Sequence, residues 1–170
     1  MSTNPSSDSR KRFLLIRTDR VGDTILTFPA VTALRNNYPE AFISFLAQPY
    51  TVPLIEQYAG IDLLLSYEPE GRHRGWKGVL KLSHQLRELN FDAAILFYPR
   101  PELAFALLKA KIPLRIGTGY RWYSFLLNRR IYEHRKDCRK HESEYNLSLL
   151  ESLMPDKITR PHYEFKQWTP

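Results

Sequence analysis

Short, unbroken apolar runs recur along the chain: FLLI at 13–16, AFISFLA at 41–47, IDLLLSY at 61–67, DAAILFY at 92–98 and LRIG at 114–117. Strands buried on both faces of a sheet read this way. Helical spacing fills the gaps. Ile25, Phe28, Val31 and Leu34 step down one face of 24–37, where Pro29 predicts a kink or a break in the first turns. Residues 50–59 predict a short helix. Val79, Leu82, Leu86 and Leu89 share a face of 76–89, Pro101 opens a helix over 101–110, and Tyr145, Leu149 and Leu153 are in register over 141–153.

The alternation of strand and helix predicts an α/β layered, Rossmann-like domain with a mostly parallel sheet and right-handed crossovers. Ligands of such sheets bind beyond the carboxyl ends of the strands. Three turns fall there: RTDRVGD (17–23) after the first strand, Tyr98-Pro99-Arg100 after the fourth and Gly117-Thr118-Gly119 after the fifth.

The first of these turns is unusually charged. Asp23 has two compatible roles. It can cap a helix beginning at Thr24, or it can act as a general base toward a hydroxyl entering the crevice. Gly22 would let a ligand approach the backbone, and Arg17 and Arg20 favour the ionised carboxylate. Residues 68–78, EPEGRHRGWKG, predict a mobile polar loop. Its Arg72, Arg74 and Lys77 are either a solvated surface run or, with Trp76 among them, a loop that binds a phosphorylated or sugar ligand. The densest positive charge spans 121–141, from Arg121 to His141, interleaved with Tyr120, Trp122, Tyr123, Phe125 and Tyr132. A nucleic-acid surface can have this composition, but no nucleic-acid motif accompanies it.

Composition narrows the class. At 170 residues and 43% hydrophobic, the chain suits one well-cored domain. A formal charge of +7 points to an anionic partner: nucleic acid, phosphorylated sugar, nucleotide or an acidic membrane surface. Cys138 is the only cysteine, which rules out an internal disulfide and fits a reducing compartment. The start, MSTNPSSDSRKR, reads as a polar tail rather than a secretory signal. No apolar run approaches the ~20 residues of a membrane span. Dinucleotide, Walker, H-E-x-x-H and G-x-S-x-G patterns do not occur.

The stretch FLLIRTDRVGDTILTFPAVTALRNNYPEAFISFLA resembles the amino-terminal signature of glycosyltransferase family 9, the ADP-heptose:lipopolysaccharide heptosyltransferases. RIGTGYRWYSFLLNRRI followed by RKHESEYNLSLLESL resembles a later block of the same family. Together they cover about residues 13 to 165. The resemblance implies the amino-terminal, acceptor-binding half of a GT-B fold. It divides the chain into a disordered tail (1–12), the acceptor domain (13–165) and the start of a linker (166–170), with the donor-binding half absent.

It further implies an inverting sugar transfer that needs no metal and no cofactor. The donor is a nucleotide-sugar such as ADP-heptose, held mainly by the other half. The acceptor is a phosphorylated glycolipid, lipid A–Kdo or inner core. Asp23 matches the proposed base, and Gly22, Arg72, Arg74, Lys77, Arg100, Arg121 and His141 fall to the acceptor. His141 reads equally as a first-turn helix residue tied to a carboxylate. The implied location is cytoplasmic, peripheral at the inner face of the inner membrane, with no nucleic-acid partner. The alternative is a basic Rossmann-like module binding nucleic acid or another anion.

Overall fold

The computed structural model describes residues 10–133, 141–154 and 163. The amino-terminal tail up to residue 9, the linker 166–170 and the cations Arg135, Lys136, Arg139 and Lys140 lie outside them. Six strands form one sheet in the order β3-β2-β1-β4-β5-β6. They are β1 (Arg12–Ile16), β2 (Phe42–Ala47), β3 (Leu63–Ser66), β4 (Ala93–Leu96), β5 (Leu114–Thr118) and β6 (Arg129–Ile131). Every pairing is parallel. The helices are α1 (Val21–Ile25), α2 (Phe28–Asn37), α3 (Val52–Ile55), α4 (Gly75–Glu88), α5 (Pro101–Lys109) and α6 (Glu142–Ser148).

The continuous apolar runs exist because each strand feeds two cores. Phe13 and Leu15 of β1 enter one core with Ile43, Phe45, Ala93 and Ile95, covered by Phe28, Val31 and Leu34 of α2 and by Leu147 of α6. Leu14 and Ile16 enter the other with Leu46, Ala94 and Leu96, covered by α4 and α5. Each fully buried leucine or phenylalanine contributes roughly 1.5–3 kcal/mol of transfer free energy. The strand order reverses between β1 and β4, which opens a crevice at their carboxyl ends.

One expectation is met with a shifted start, one strand was not foreseen, and two expectations need correction. The break expected near Pro29 is present, with α1 ending at Ile25 and Pro29 in the first turn of α2, although α1 already begins at Val21 rather than at Thr24. The edge strand β6 (RRI) escaped notice because its charged, exposed residues lack an apolar run, as is usual at a sheet edge. The helix expected over 141–153 ends at Ser148 and continues as turns. The 68–78 loop is shorter and better anchored than its composition suggests. Helix α4 already begins at Gly75, and His73 is buried against the ring of Tyr67, accepting a hydrogen bond from the Glu68 N–H at 3.0 Å.

Candidate functional site

The carboxyl edge of the sheet holds a cavity of about 650 Å³. Three groups of residues that are distant in sequence form its wall. Arg17, Asp19 and Asp23 come from the turn after β1, Phe97, Tyr98 and Pro99 from the end of β4, and Thr118, Tyr120 and Arg121 from the end of β5. Glu133, after β6, and Glu142, at the start of α6, close it. The three turns expected to converge do so, at the point where the strand order reverses.

Arg17 organises this wall. Only 3% exposed, it grips Asp19 through both donors of one guanidinium edge: Nε to Oδ1 at 2.6 Å and Nη2 to Oδ2 at 2.9 Å. The same Nη2 lies 3.3 Å from Oδ1 of Asp23. Nη1 reaches Glu142 and Asn146, each at 3.3 Å. One buried guanidinium therefore joins three carboxylates, and its planar set of five donors suits that task as an ammonium would not. Burial pushes the Asp19 carboxyl above its ordinary value, with hydrogen bonding and attraction from Arg17 opposing it. The hydroxyl of Tyr50 donates to the Asp19 carbonyl, which pins the turn from outside.

Asp23 does not cap a helix. The first turn of α1 closes with the Thr24 N–H donating to the Arg20 carbonyl at 3.0 Å, so Arg20 holds the cap position and Asp23 lies inside the turn. This frees its carboxylate to face Arg17 and the cavity, where it stays about one-third exposed. A Cβ added at Gly22 would meet nothing within 4 Å. The backbone here is open on its side-chain side, although Gly22 itself does not line the cavity.

The other expected site residues fall in different places. Arg121 lines the cavity, with its backbone N–H held by Ser124 Oγ at 3.1 Å. Arg100 stands one residue beyond the lining, at the cap of α5. Its guanidinium lies 5.4 Å from the Tyr98 ring centroid, and its buried Nε has no hydrogen-bond partner among the described residues. Arg72 is paired with Glu68 at 2.6 Å, Arg74 occupies the cap position of α4 without a side-chain cap bond, and Lys77 lies on that helix. None of these three lines the cavity. His141 caps α6: Nδ1 accepts from the Ser143 N–H, and Glu144 accepts from the His141 N–H at 2.6 Å. In the GTG turn, a Cβ on Gly119 would lie 2.3 Å from the Tyr132 ring, so this glycine serves packing.

Glu142, Asn146 and the bidentate role of Asp19 were not apparent from the sequence. Asn146 is fully buried, and its amide donates to the Leu26 carbonyl at 2.9 Å, exactly where the helix expected over 24–37 divides into α1 and α2. Glu142 and Asn146 are four residues apart, on one face of α6. That spacing beside an apolar stripe was the available signal. The charge balance of the wall also departs from that of the whole chain. Four carboxylates (Asp19, Asp23, Glu133 and Glu142) face two guanidinium groups. Such a wall suits a polyhydroxyl ligand, whose hydroxyls donate to carboxylates, better than a naked polyanion. Among the described residues, no three His, Cys, Asp or Glu side chains are grouped to hold a metal ion.

A doubly wound parallel sheet with an acid-bearing crevice at its switch point defines a Rossmann-like domain, and the solved structures it superposes on share the GT-B fold. The particular likeness is to glycosyltransferase family 9. The glycosyl transferase family 9 structure from Veillonella parvula superposes with a TM-score of 0.81 at 20% identity, over 94% of this chain and 46% of that one. The Escherichia coli ADP-heptose LPS heptosyltransferase II does so with a TM-score of 0.71 at 24% identity, over 92% and 47%. Among curated sequences, a Haemophilus influenzae protein named putative glycosyltransferase is 26% identical over 144 residues, 85% of this chain and 41% of its own. Lipopolysaccharide heptosyltransferase 3 of E. coli is 29% identical over 135 residues, 78% and 39%. No protein-family model matches the chain. The chain thus has homologues named glycosyltransferase and heptosyltransferase, and it spans about two fifths of the curated relatives it matches.

Proposed function

We propose that this chain is the acceptor-binding half of an inverting, metal-independent glycosyltransferase. It would move heptose or a related sugar from a nucleotide-sugar, such as ADP-heptose, to the inner core of lipopolysaccharide. Residues 13–165 form the acceptor domain in this reading, and 166–170 lead toward a donor-binding half. The observation that carries it is the Asp23 carboxylate, set beside Arg17 at the mouth of the switch-point cavity with bare backbone at Gly22. The relatives' names support the class of reaction.

In the reaction, Asp23 takes the proton from an acceptor hydroxyl. The oxygen forms a bond to the anomeric carbon as the bond from that carbon to the donor diphosphate breaks. Attack opposite the leaving group inverts the centre. The carboxylate-rich wall orients sugar hydroxyls, and Arg121 with Arg100 at its edge meets the acceptor's anionic groups. Arg72, Arg74, Lys77 and His141 would act farther out, on the approach. The acceptor's lipid places the chain at the cytoplasmic face of a membrane.

The test is nucleoside diphosphate release from ADP-heptose with a delipidated inner-core acceptor, using the chain together with a donor-binding half. Asp23→Asn should lower kcat by about 10²–10⁴-fold while acceptor binding to the chain persists. Turnover at the wild-type rate in this variant would end the assignment.

A further inference from the structure

Away from the cavity, α4 and α5 pack side by side over one core and turn an apolar, cationic face outward. Trp76 is 60% exposed, Leu80 40% and Leu108 38%, which is unusual for side chains of this size on a helix with a well-packed inner face. The two helices share this face: the Trp76 and Phe105 rings lie 4.3 Å apart, tilted at 40°. Trp76 and Leu80 are one turn apart on α4, and Phe105 and Leu108 likewise on α5.

Lysines border the patch. Lys77 and Lys81 run beside Trp76 and Leu80 along α4, and the Lys109 ammonium lies 5.5 Å from the Phe105 ring centroid. Acids keep to the ends. Glu88 is the only one on α4, in its last turn beside His84, and Glu102 lies in the first turn of α5. Beyond α5, the segment after β5 adds Trp122 and Phe125, 80% and 64% exposed.

We propose that the α4–α5 face docks on an anionic lipid bilayer, with Trp76 and Phe105 entering the headgroup boundary and Lys77, Lys81 and Lys109 meeting lipid phosphates. The aromatic rings suit the interface, being apolar bodies that tolerate a wet edge, and lysines beside them add attraction to anionic headgroups. Charge decides the occupant. A symmetric contact with a second copy would set these lysines against their own counterparts, whereas an anionic surface neutralises all of them together.

The placement also fits the cavity. Helix α5 starts directly after Tyr98 and Pro99 of the cavity wall, so Phe105 stands only about 7 Å along the helix from Arg100. A headgroup leaving the bilayer beside this face would meet the mouth of the crevice. This orientation rests on the proposed glycolipid acceptor. The docking itself does not, so vesicle binding and turnover can fail separately.

Flotation of the full chain with vesicles of phosphatidylglycerol and phosphatidylethanolamine, against vesicles of phosphatidylcholine alone, tests it. Binding to the anionic vesicles only, weakened by salt, is expected. Lys77→Glu combined with Lys81→Glu, both at exposed positions, should weaken it about tenfold or more. Trp76→Ser should weaken it also and remove a blue shift of tryptophan emission on binding. Failure to float with anionic vesicles, equal binding to neutral ones, or unchanged binding by the folded double-lysine variant would overturn the proposal. So would a variant whose only effect is to dissociate a dimer.

Discussion

Arg17 lies 3.3 Å from the carboxylate of Asp23 while the Nε–Nη2 edge of its guanidinium is already taken by Asp19. Asp23 is thus the loosest of the partners held by Arg17 on its own turn. It is also the most exposed of the three carboxylates around Arg17, at 32% against 12% for Asp19 and 26% for Glu142. A proton acceptor must stay available to a ligand, and this arrangement orients the group without enclosing it.

Asp23→Asn should cost little stability, about 1 kcal/mol or less, because the side chain caps no helix, is one-third exposed and leaves Arg17 paired with Asp19 and Glu142. The kinetic loss given above should therefore appear in a protein with a nearly unchanged urea midpoint. A large shift of that midpoint would mean that the carboxylate is structural.

Arg17→Ala should be severe. Removing the buried cation leaves Asp19, Asp23 and Glu142 facing one another, and breaking a buried pair costs about 3–5 kcal/mol. Arg17→Lys keeps the charge but not the fork and should lose less. Chemical denaturation of both variants checks the order; equal losses would show that geometry rather than charge holds the cluster.

Gly78→Ala should destabilise although it lies in a helix. In an open helix this change gains about 1 kcal/mol from propensity. Here the new Cβ would come within 2.2 Å of the His73 backbone, which must then shift, at a typical cost of about 1–3 kcal/mol. A rise in melting temperature would contradict the packing of the 68–74 turn against α4.

His73 should give stability a pH dependence. Burial, with Arg72 nearby, holds its imidazole below the ordinary histidine value of 6.5. On acidification the unfolded chain takes up this proton first. The contribution is therefore complete above the ordinary value and declines as pH falls through it toward the depressed one. His73→Asn, which retains an acceptor for the Glu68 N–H, should flatten that limb of the stability profile. An unchanged slope would place the titration elsewhere.

The parts of the fold legible in the sequence were those written in consecutive residues. The apolar runs at 13–16 and 92–98 announce strands because both faces are buried, and the turns that follow them were located at the right edge of the sheet. Charged β6 carries no such run. At the site, Asp23 lies in one of those turns and Arg121 two residues beyond another, and both line the cavity. Glu142 was not found, because its meeting with Arg17 joins positions 125 residues apart. Asp23 read as a cap because helix starts in sequence are uncertain by a residue or two, and here that margin separates a cap from a carboxylate that faces Arg17 and the cavity.

The reach of α6 into the first turn has one more consequence. Asn146 secures the Leu26 carbonyl at the join of α1 and α2, and Glu142 completes the grip of Arg17. The earliest loop of the protein is therefore finished only by its last described helix. A piece of chain ending before residue 141 would retain all six strands yet present an unlatched site. During synthesis, the crevice would remain unassembled until that helix had emerged and docked.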